Sequence, residues 1–252
     1  MINDLSTAVQ MQYLRPRQFE AAARAFPVVY VPFGLIEWHG QHNPLGVDAL
    51  KSHGILVKCA EQYGGLVYPP VYYPHALHNW EGKLEEADRG WKLEMVTSLF
   101  QQLKATGFRV IVAVSGHNIQ TQIELYTEAL KTVTADGTVA GIGLWEMTLS
   151  QCDESSSDHA AKWETSNMMF FYPDTVELSE LGTGPLEPDM KPPDGIGGLD
   201  PREHASEEVG GRNVELCADA IGKKAQELLA SLPEDQRDFN LEAMVPPNWW
   251  LI

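Results

Sequence analysis

The sequence predicts an α/β fold with a mainly parallel sheet, because apolar strand-like runs alternate with amphipathic helical segments along the chain. The three strand-like runs are residues 27–33, 109–115 and 138–147, which carry β-branched and aromatic residues. Such alternation favours parallel strands that are joined through right-handed helical crossovers. The 252 residues contain no internal repeat and no linker-like stretch, so we expect one domain over residues 1–252.

Helices are predicted before, between and after these strands, where apolar residues recur every three or four positions. The predicted helices cover residues 16–26, 48–63, 90–106, 118–134 and 206–230, and one more begins near residue 158. Gly64 and Gly65 end the second helix, as glycine commonly does at a helix C-terminus. Residues 182–201 are rich in glycine, proline and aspartate, so we expect a long loop there. Loops of that length are often functional, as lids or subunit contacts.

The composition excludes several classes of function. The formal net charge of −17 argues against non-specific binding to nucleic acid or to an anionic membrane, since like charges repel. The three cysteines, Cys59, Cys152 and Cys217, form no CxxC pair and no disulfide framework, which favours a reducing compartment. We find no signal-peptide pattern and no apolar run of about 20 residues. We therefore expect a cytoplasmic protein that binds neither nucleic acid nor membrane.

The segment from Gly34 to Asp48 combines three metal-capable side chains directly after the first strand. Glu37 and His39 are two residues apart, so in extended backbone both point to the same side. Glycine and proline in the following loop let the chain fold back and bring Asp48 beside them. Two carboxylates and an imidazole suit a divalent transition metal such as zinc or manganese. The alternative is a polar surface loop in which Asp48 caps a helix, and His42 is expected to form hydrogen bonds within this loop.

Two further clusters lie in comparable places. His117 follows the strand 109–115, and the carboxyl edge of an open α/β sheet is where ligand crevices form. His159 and Glu164 are five residues apart at what looks like the start of a helix, after a serine-rich loop. A single histidine of this kind usually has a structural role. Three clusters together, two of them at strand ends, favour a metal site.

These motifs resemble those of the creatininase family, also called creatinine amidohydrolases. Residues 34–48 are similar to the family pattern Gly-x-x-Glu-x-His-Gly-x-His-x-Pro-x-x-x-Asp, and Gly116-His117 is similar to its mid-chain Gly-His. Residues 159–166 resemble His-Ala-Gly-x-x-Glu-Thr-Ser. Residues 195–210 resemble a later family motif that contains Gly-Val, Pro and Ala-Ser, with one extra residue inside it. The four motifs occur in the family's order and span most of the chain.

The resemblance implies a three-layer α/β/α domain, a homohexamer and a site with two divalent metal ions, zinc or manganese. The implied metal ligands are Glu37, His39, Asp48, His117 and Glu164, with Asp48 bridging the ions. The implied reaction is hydrolysis of a non-peptide C–N bond in a cyclic amide, a formamide or a small amide, by a hydroxide held between the ions. His159 is expected to contact the small-molecule substrate or to transfer a proton to the departing nitrogen, and Glu164 is the second candidate catalytic residue.

Departures from the family pattern indicate a substrate other than creatinine. Creatininase continues after its mid-chain histidine with Tyr-Glu-Asn, whereas this chain has Asn118 and Ile119, and isoleucine cannot ligate a metal. The chain also replaces the family's Tyr-Gly-x-Ser and Phe-Pro-Gly-Thr segments by a stretch with two histidines and a tryptophan. The candidate substrate contacts are His75, His78, Trp80, Asn118 and Trp145. For the aromatic residues among them, packing in the core is the alternative role.

Three functions remain open from the sequence. The favoured one is a metal-dependent hydrolase of the creatininase family. The second is an isomerase or lyase that acts on a small polar substrate at the same metals, with Glu164 or His159 moving a carbon-bound proton. The third is a non-catalytic binding or assembly protein, which we disfavour because all five plausible metal ligands are present.

Overall fold

The computed structural model describes residues 5–74, 83–149, 158–187, 190–191 and 193–240. The strands in this part of the chain are β1 (Val28–Ile36), β2 (Leu66–Val67), β3 (Val71–Pro74), β4 (Val110–Ser115) and β5 (Ala140–Trp145). The helices are α1 (Pro16–Ala25), α2 (Val47–Tyr63), α3 (Lys83–Thr106), α4 (Gln120–Val133), α5 (Lys162–Phe171), α6 (Pro201–His204) and α7 (Glu207–Ser231). Short 3-10 turns cover Thr7–Val9, Met11–Tyr13, Pro173–Thr175, Leu178–Leu181 and Glu234–Gln236.

The strands form one parallel sheet with β1 and β4 at its centre. β4 pairs with one side of β1, and β5 pairs with the other side of β4. The second side of β1 is shared by two short strands, because β2 pairs with Val29 and Tyr30 while β3 pairs further along, from Phe33 to Ile36. All of these pairs are parallel, so β1, β4 and β5 end at the same edge of the sheet. The predicted mainly parallel sheet is confirmed.

Helices cover both faces of the sheet, and each face has its own buried cluster. Val29 and Phe33 of β1 belong to the cluster under α1, α3 and α4, which includes Phe100. Val28 and Tyr30 belong to the opposite cluster, which is formed with α2, α5 and α7. Successive strand residues point to opposite faces, so a strand buried on both sides is apolar without interruption. The α/β/α layering implied by the family resemblance is therefore present.

Several element boundaries differ from the predicted ones. β2 and β3 were not predicted, because they are two and four residues long and a Pro-Pro pair separates them. α3 begins at Lys83 rather than at residue 90, and α5 begins at Lys162, after His159. In the described part of the chain no helix has both the length and the apolarity that crossing a bilayer requires.

Candidate metal centre

The polar residues predicted to ligate metal meet at the carboxyl edge of the sheet. The acidic and histidine residues that follow β1, β4 and β5 there are Glu37, His39, His117 and Glu146. Two helices bring further carboxylates to the same place, because Asp48 lies in the first turn of α2 and Glu164 in the first turn of α5. This is the edge at which open α/β sheets form ligand crevices.

Glu37, Asp48 and His117 form the first of two adjacent groups. His117 Nδ1 lies 2.9 Å from Glu37 Oε2 and 3.5 Å from Asp48 Oδ2. One potential ligand atom from each of the three residues lies within 4.8 Å of the other two. Atoms at such spacing can surround one ion, since carboxylate oxygens and imidazole nitrogens bind zinc at about 2.0–2.2 Å.

His39, His159 and Glu164 form the second group, with the same limit of 4.8 Å between their potential ligand atoms. His39 Nε2 lies 3.4 Å from Glu164 Oε2 and 3.2 Å from Asp48 Oδ1. Asp48 therefore faces both groups, with Oδ1 toward His39 and Oδ2 toward His117. A carboxylate in this position can hold two cations at once.

The hydrogen bonding of these buried atoms fits a divalent cation. Glu37 Oε2, His39 Nε2 and Asp48 Oδ1 are buried, and each lacks a hydrogen bond of acceptable geometry among the described residues. Buried polar atoms in folded proteins normally have such a partner. Converging carboxylate and imidazole atoms that lack one form the donor set that zinc and manganese prefer.

Asp48 does not cap a helix, so the alternative role considered for it is wrong. α2 begins at Val47 with Gly46 at its N-cap, and no side chain caps it. The Asp48 carboxylate instead accepts a hydrogen bond from the backbone N–H of Leu35, at 3.2 Å on Oδ2. This bond ties the carboxylate to the end of β1 and fixes its direction.

Two motif glycines allow the first turn of α2 to contact the strand ends directly. A Cβ added to Gly34 would lie 2.2 Å from the backbone nitrogen of Ala49 and 2.5 Å from Asp48 Cβ. A Cβ at Gly116 would lie 2.0 Å from the Asp48 carbonyl oxygen. No side chain fits at such distances, so both positions require glycine for the close approach that places Asp48.

In the absence of metal, the histidines carry the positive charge of the centre. Burial lowers the pKa of His39, but Glu164 and Asp48 outweigh it and raise the pKa to about 9. Burial likewise lowers the pKa of His117, but the facing carboxylates of Asp48 and Glu37 outweigh it and raise the pKa to about 10. Burial raises the pKa of Asp48, yet His39 and His117 hold it well below its usual range. The same negative charge that holds these protons attracts metal cations, so protons and metal compete.

A buried lysine, which sequence reasoning missed, holds Glu164. Lys51 Nζ hydrogen-bonds to Glu164 Oε1 and lies 2.9 Å from Glu146 Oε1. Burial lowers the pKa of Lys51, but the two carboxylates raise it above its ordinary value. Burial raises the pKa of Glu146 to about 7, against the opposing effect of Lys51. The available signal was spacing, because Lys51 lies three residues after Asp48 and so on the same face of α2.

His159 lies before α5, so the expectation that it opens a helix is wrong. Its backbone N–H donates to the Gly197 carbonyl at 2.9 Å, and Ala160 has a φ of 52°, which a helix cannot contain. The helix begins only at Lys162. The Asp158 carboxylate accepts the N–H groups of Trp163 at 2.7 Å and Glu164 at 3.2 Å.

The His159 ring lies against the second group of residues. It stacks on the His39 ring with 4.5 Å between centroids, and its Nε2 lies 3.1 Å from the Trp38 carbonyl oxygen. A nitrogen next to a carbonyl must donate, so Nδ1 carries the lone pair of the neutral ring. Burial lowers the pKa of His159, and His39 lowers it further. The imidazole is therefore neutral near pH 7 and able to accept a proton.

Comparison with known proteins gives the same assignment as the motifs. The family model for creatininase, described as creatinine amidohydrolase, matches residues 12–224. The chain belongs to the creatininase family. It is 25% identical over 257 residues to creatinine amidohydrolase of Pseudomonas putida, covering 88% of this chain and 98% of that protein. It is 30% identical over 170 residues to a mycofactocin precursor peptide peptidase of Mycolicibacterium smegmatis, covering 64% of this chain and 65% of the peptidase.

Solved creatininase structures have the same fold. A crystal structure of creatinine amidohydrolase aligns with a TM-score of 0.70 at 21% identity, covering 88% of this chain and 99% of the other. A manganese creatininase aligns at 0.67 and 21%, covering 87% and 98%. A mutant creatininase of Zn–Zn type aligns at 0.67 and 22%, covering 88% and 98%. By its family membership, this creatininase homologue is a metal-dependent hydrolase.

Further residues of the first and third family motifs hold the metal-binding segments against one another. His42, in the first motif, places Nε2 2.9 Å from the hydroxyl of Thr165, which follows Glu164 in the third motif. Asn43 donates to the same hydroxyl at 3.0 Å. Burial lowers the pKa of His42 to about 4, so the ring is neutral. As expected, His42 forms hydrogen bonds, and these join the loop after β1 to α5.

The candidate substrate contacts are only partly described. His75, His78 and Trp80 lie outside the described residues. Both amide atoms of Asn118 are buried and have no hydrogen-bond partner within the described part of the chain. The indole N–H of Trp145 donates to the Ile119 carbonyl at 3.2 Å, so this group is already committed within the protein.

Proposed function

We propose that this creatininase homologue is a two-metal amidohydrolase that cleaves the C–N bond of a small non-peptide amide. What supports the proposal is the position of Asp48, whose two oxygens face two different groups of potential ligands. One ion would be held by Glu37, Asp48 and His117, and the other by His39, Asp48 and Glu164. Zinc and manganese both suit this set of donors.

The residues of the chain would position the substrate and move its protons. Two divalent cations bound here would supply a water molecule of lowered pKa and polarise the amide carbonyl. In hydrolysis the C–N bond breaks, the water oxygen joins the carbonyl carbon, and a proton must reach the departing nitrogen. His159 is suited to that transfer, because Nδ1 has a lone pair while Nε2 is held near the Trp38 carbonyl.

The proposed substrate class is supported by polar groups that no described residue satisfies. Asn118, next to His117, offers an amide N–H donor and a carbonyl acceptor that no described residue uses. A substrate with an amide or ureido group can pair with both atoms. The relatives are named as a creatinine amidohydrolase and a precursor peptide peptidase, so cyclic amides and short peptides both belong in a substrate panel.

Turnover in water enriched in ¹⁸O tests the reaction type. The panel should contain cyclic amides, formamides, small linear amides and short peptides, with zinc or manganese restored after chelation. We expect one solvent oxygen in the acid product and turnover of a non-peptide amide. A product without solvent oxygen would indicate an isomerase or lyase instead, and turnover of peptides alone would contradict the proposed substrate class.

A matched pair of variants ties this activity to the metal centre. Asp48→Asn keeps the shape of the side chain but removes the charge that faces both groups, so activity and metal content should both be lost. Asp136→Asn makes the same chemical change in an exposed loop, where Asp136 pairs with Lys104. That variant should retain full metal content and activity.

We also propose the assembly that the family resemblance implies, a homohexamer. Light scattering should then give six times the 28.0 kDa chain mass. A monomer or dimer at micromolar concentration would contradict it.

A further inference from the structure

The proposed function does not explain the buried ion cluster behind the second group of ligands. Lys51 lies in α2 and contacts Glu146, which follows β5, and Glu164, in the first turn of α5. Lys51 and Glu146 are 0% exposed, and Glu164 is 3% exposed. Burying charges costs free energy that pairing only partly offsets, and apolar residues of similar volume often serve stability better. We therefore expect the cluster to have a role other than stabilising the fold.

The two oxygens of Glu164 are unequally available to a metal. Oε1 accepts a hydrogen bond from Lys51 Nζ. Oε2 accepts one from the backbone N–H of Ala160 at 2.7 Å, and it is also the oxygen nearest to His39. Only Oε2 can therefore bind an ion beside His39, and this oxygen already accepts a hydrogen bond from a backbone N–H group.

The carboxylates of the first group are less restricted than Glu164. Glu37 Oε2 lies 2.9 Å from His117 Nδ1 but has no hydrogen bond of acceptable geometry among the described residues. Asp48 accepts one backbone N–H on Oδ2, and its Oδ1 lies 3.2 Å from His39 Nε2, again without a hydrogen bond of acceptable geometry there. The described residues place no lysine or arginine against Glu37 or Asp48 within 4 Å. The two ion positions thus differ in the charge that surrounds them.

We propose that Lys51 is a positioning residue that restricts Glu164 to one-oxygen donation and makes the second ion bind more weakly than the first. An ammonium group bonded to a ligand carboxylate withdraws electron density from it and repels an incoming cation. Glu146 also contacts Lys51, and its negative charge partly offsets the positive charge that Lys51 presents to Glu164 and to the ion. The centre then has one tightly held ion and one that exchanges readily. This inference rests on the proposed two-metal centre.

Metal titration of the chelator-stripped protein tests the inference without using activity. Calorimetry with Zn²⁺ and with Mn²⁺, in competition with a chromophoric chelator, gives the two dissociation constants at pH 8. We expect the wild-type protein to bind two ions with affinities that differ at least about ten-fold, which corresponds to about 1.4 kcal/mol.

Two variants should change the weaker affinity in opposite directions. Glu146→Gln removes the negative charge of Glu146, so the positive charge of Lys51 is balanced by Glu164 alone. The second ion should then bind about ten-fold more weakly. The double variant Lys51→Met with Glu146→Gln removes both charges together, so that Glu146 is not left buried without Lys51. Glu164 is then free, and the second ion should bind about ten-fold more tightly. The first affinity should change less than the second in both variants, because Lys51 contacts Glu164 and no carboxylate of the first group.

A matched control separates this effect from damage to the helix. Lys58→Met makes the same replacement in α2, where Lys58 is partly exposed and pairs with Glu61 at 3.1 Å. It should leave both affinities unchanged. A purely structural role for Lys51 predicts instead that both ions are lost in both cluster variants, together with a lower Tm of the apoprotein.

The outcomes distinguish the two proposals. A wild-type protein that binds a single ion overturns the two-metal centre, and this inference with it. Two ions whose affinities do not respond to the variants, or respond in the same direction, overturn only the role of Lys51. If the double variant does not fold, Glu146→Gln decides alone, because an unchanged second affinity contradicts the inference.

Discussion

At the scale of single residues, Asp48 organises the centre. Its carboxylate lies in the first turn of α2, where the helix dipole favours negative charge, and the Leu35 N–H fixes its direction. One oxygen faces His39 and the other faces His117. Two groups of potential ligands are therefore held at a fixed separation by a single side chain.

His159→Ala separates proton transfer from metal ligation. We expect the variant to keep both ions and to lose about 10²–10⁴-fold in kcat, the usual contribution of a positioned acid or base. The reason is that the His159 ring stacks on His39 beside the second group of ligands, with Nε2 held near the Trp38 carbonyl, and a neutral imidazole placed there can accept and return a proton. Metal content and the pH dependence of kcat are the measurements, and one limb of the pH profile should flatten.

His159→Gln is the matched control for that variant. Its side-chain amide places an N–H donor near the position of Nε2, which contacts the Trp38 carbonyl, but it cannot transfer a proton, so the kcat loss should persist while the Tm recovers. Loss of half of the metal in either variant would show that His159 is a ligand of the second ion, as its proximity to His39 and Glu164 permits.

The sequence predicted residues that belong to spaced motifs, and it missed residues whose role depends on distant partners. Glu37 and His39 were predicted to share a side, and the structure places both at the sheet edge beside Asp48. Lys51 and Glu146 were not predicted, because a lysine in an amphipathic helix usually faces solvent. Only the folded chain brings these two residues together across 95 positions of sequence.

At the scale of elements, the contact between α2 and the strand ends sets the geometry of the centre. Gly116→Ala would place a Cβ 2.0 Å from the Asp48 carbonyl oxygen, so α2 or β4 must shift. We expect the free energy of unfolding to fall by about 3 kcal/mol, at the upper end of typical overpacking costs. Urea unfolding of the apoprotein measures this change.

Gly90→Ala provides the comparison for that prediction. Gly90 lies in α3, and nothing lies within 4 Å of a Cβ added there. Alanine is favoured over glycine inside a helix by about 0.5–1 kcal/mol, so this variant should be slightly more stable. Equal effects of the two substitutions would contradict the account of Gly116.

Element prediction worked where the chain itself carries the signal. β1 and β4 are continuous apolar runs, and their burial on both faces explains why the sequence predicts them. β5 was also predicted, although most of its residues are only partly buried. β2 and β3 gain their strand character from pairing with β1, which no short segment reveals. The start of α5 was predicted too early, because backbone pairing with Gly197 and the turn at Ala160 hold His159 outside the helix.

At the scale of the whole molecule, the centre links metal binding to the pH dependence of stability. His39 and His117 have pKa values raised from 6.5 to about 9 and about 10 in the metal-free protein. A raised pKa in the folded state stabilises the fold fully below pH 6.5, and this contribution is lost as the pH rises through 9–10. The free energy of unfolding of the chelated protein should therefore fall over that interval.

The metal-loaded protein should behave differently. Bound ions replace the histidine protons, so its stability should not fall between pH 6.5 and 10. Urea unfolding at several pH values, with and without chelator, gives the two curves. Parallel curves would mean that the ions do not bind where these protons are held.

The whole-molecule predictions have different origins. The alternation of strands and helices predicted the parallel sheet. The three layers were predicted from the family resemblance, because the sequence does not show which face of the sheet each helix covers. The single domain over residues 1–252 stays a prediction.

Anomalous diffraction from a zinc- or manganese-loaded crystal tests the central claim most directly. We predict two peaks about 3.5–4 Å apart, one against Glu37 and His117, the other against His39 and Glu164, with Asp48 touching both. A single peak, or two peaks with the Asp48 carboxylate turned away from either, would contradict the account.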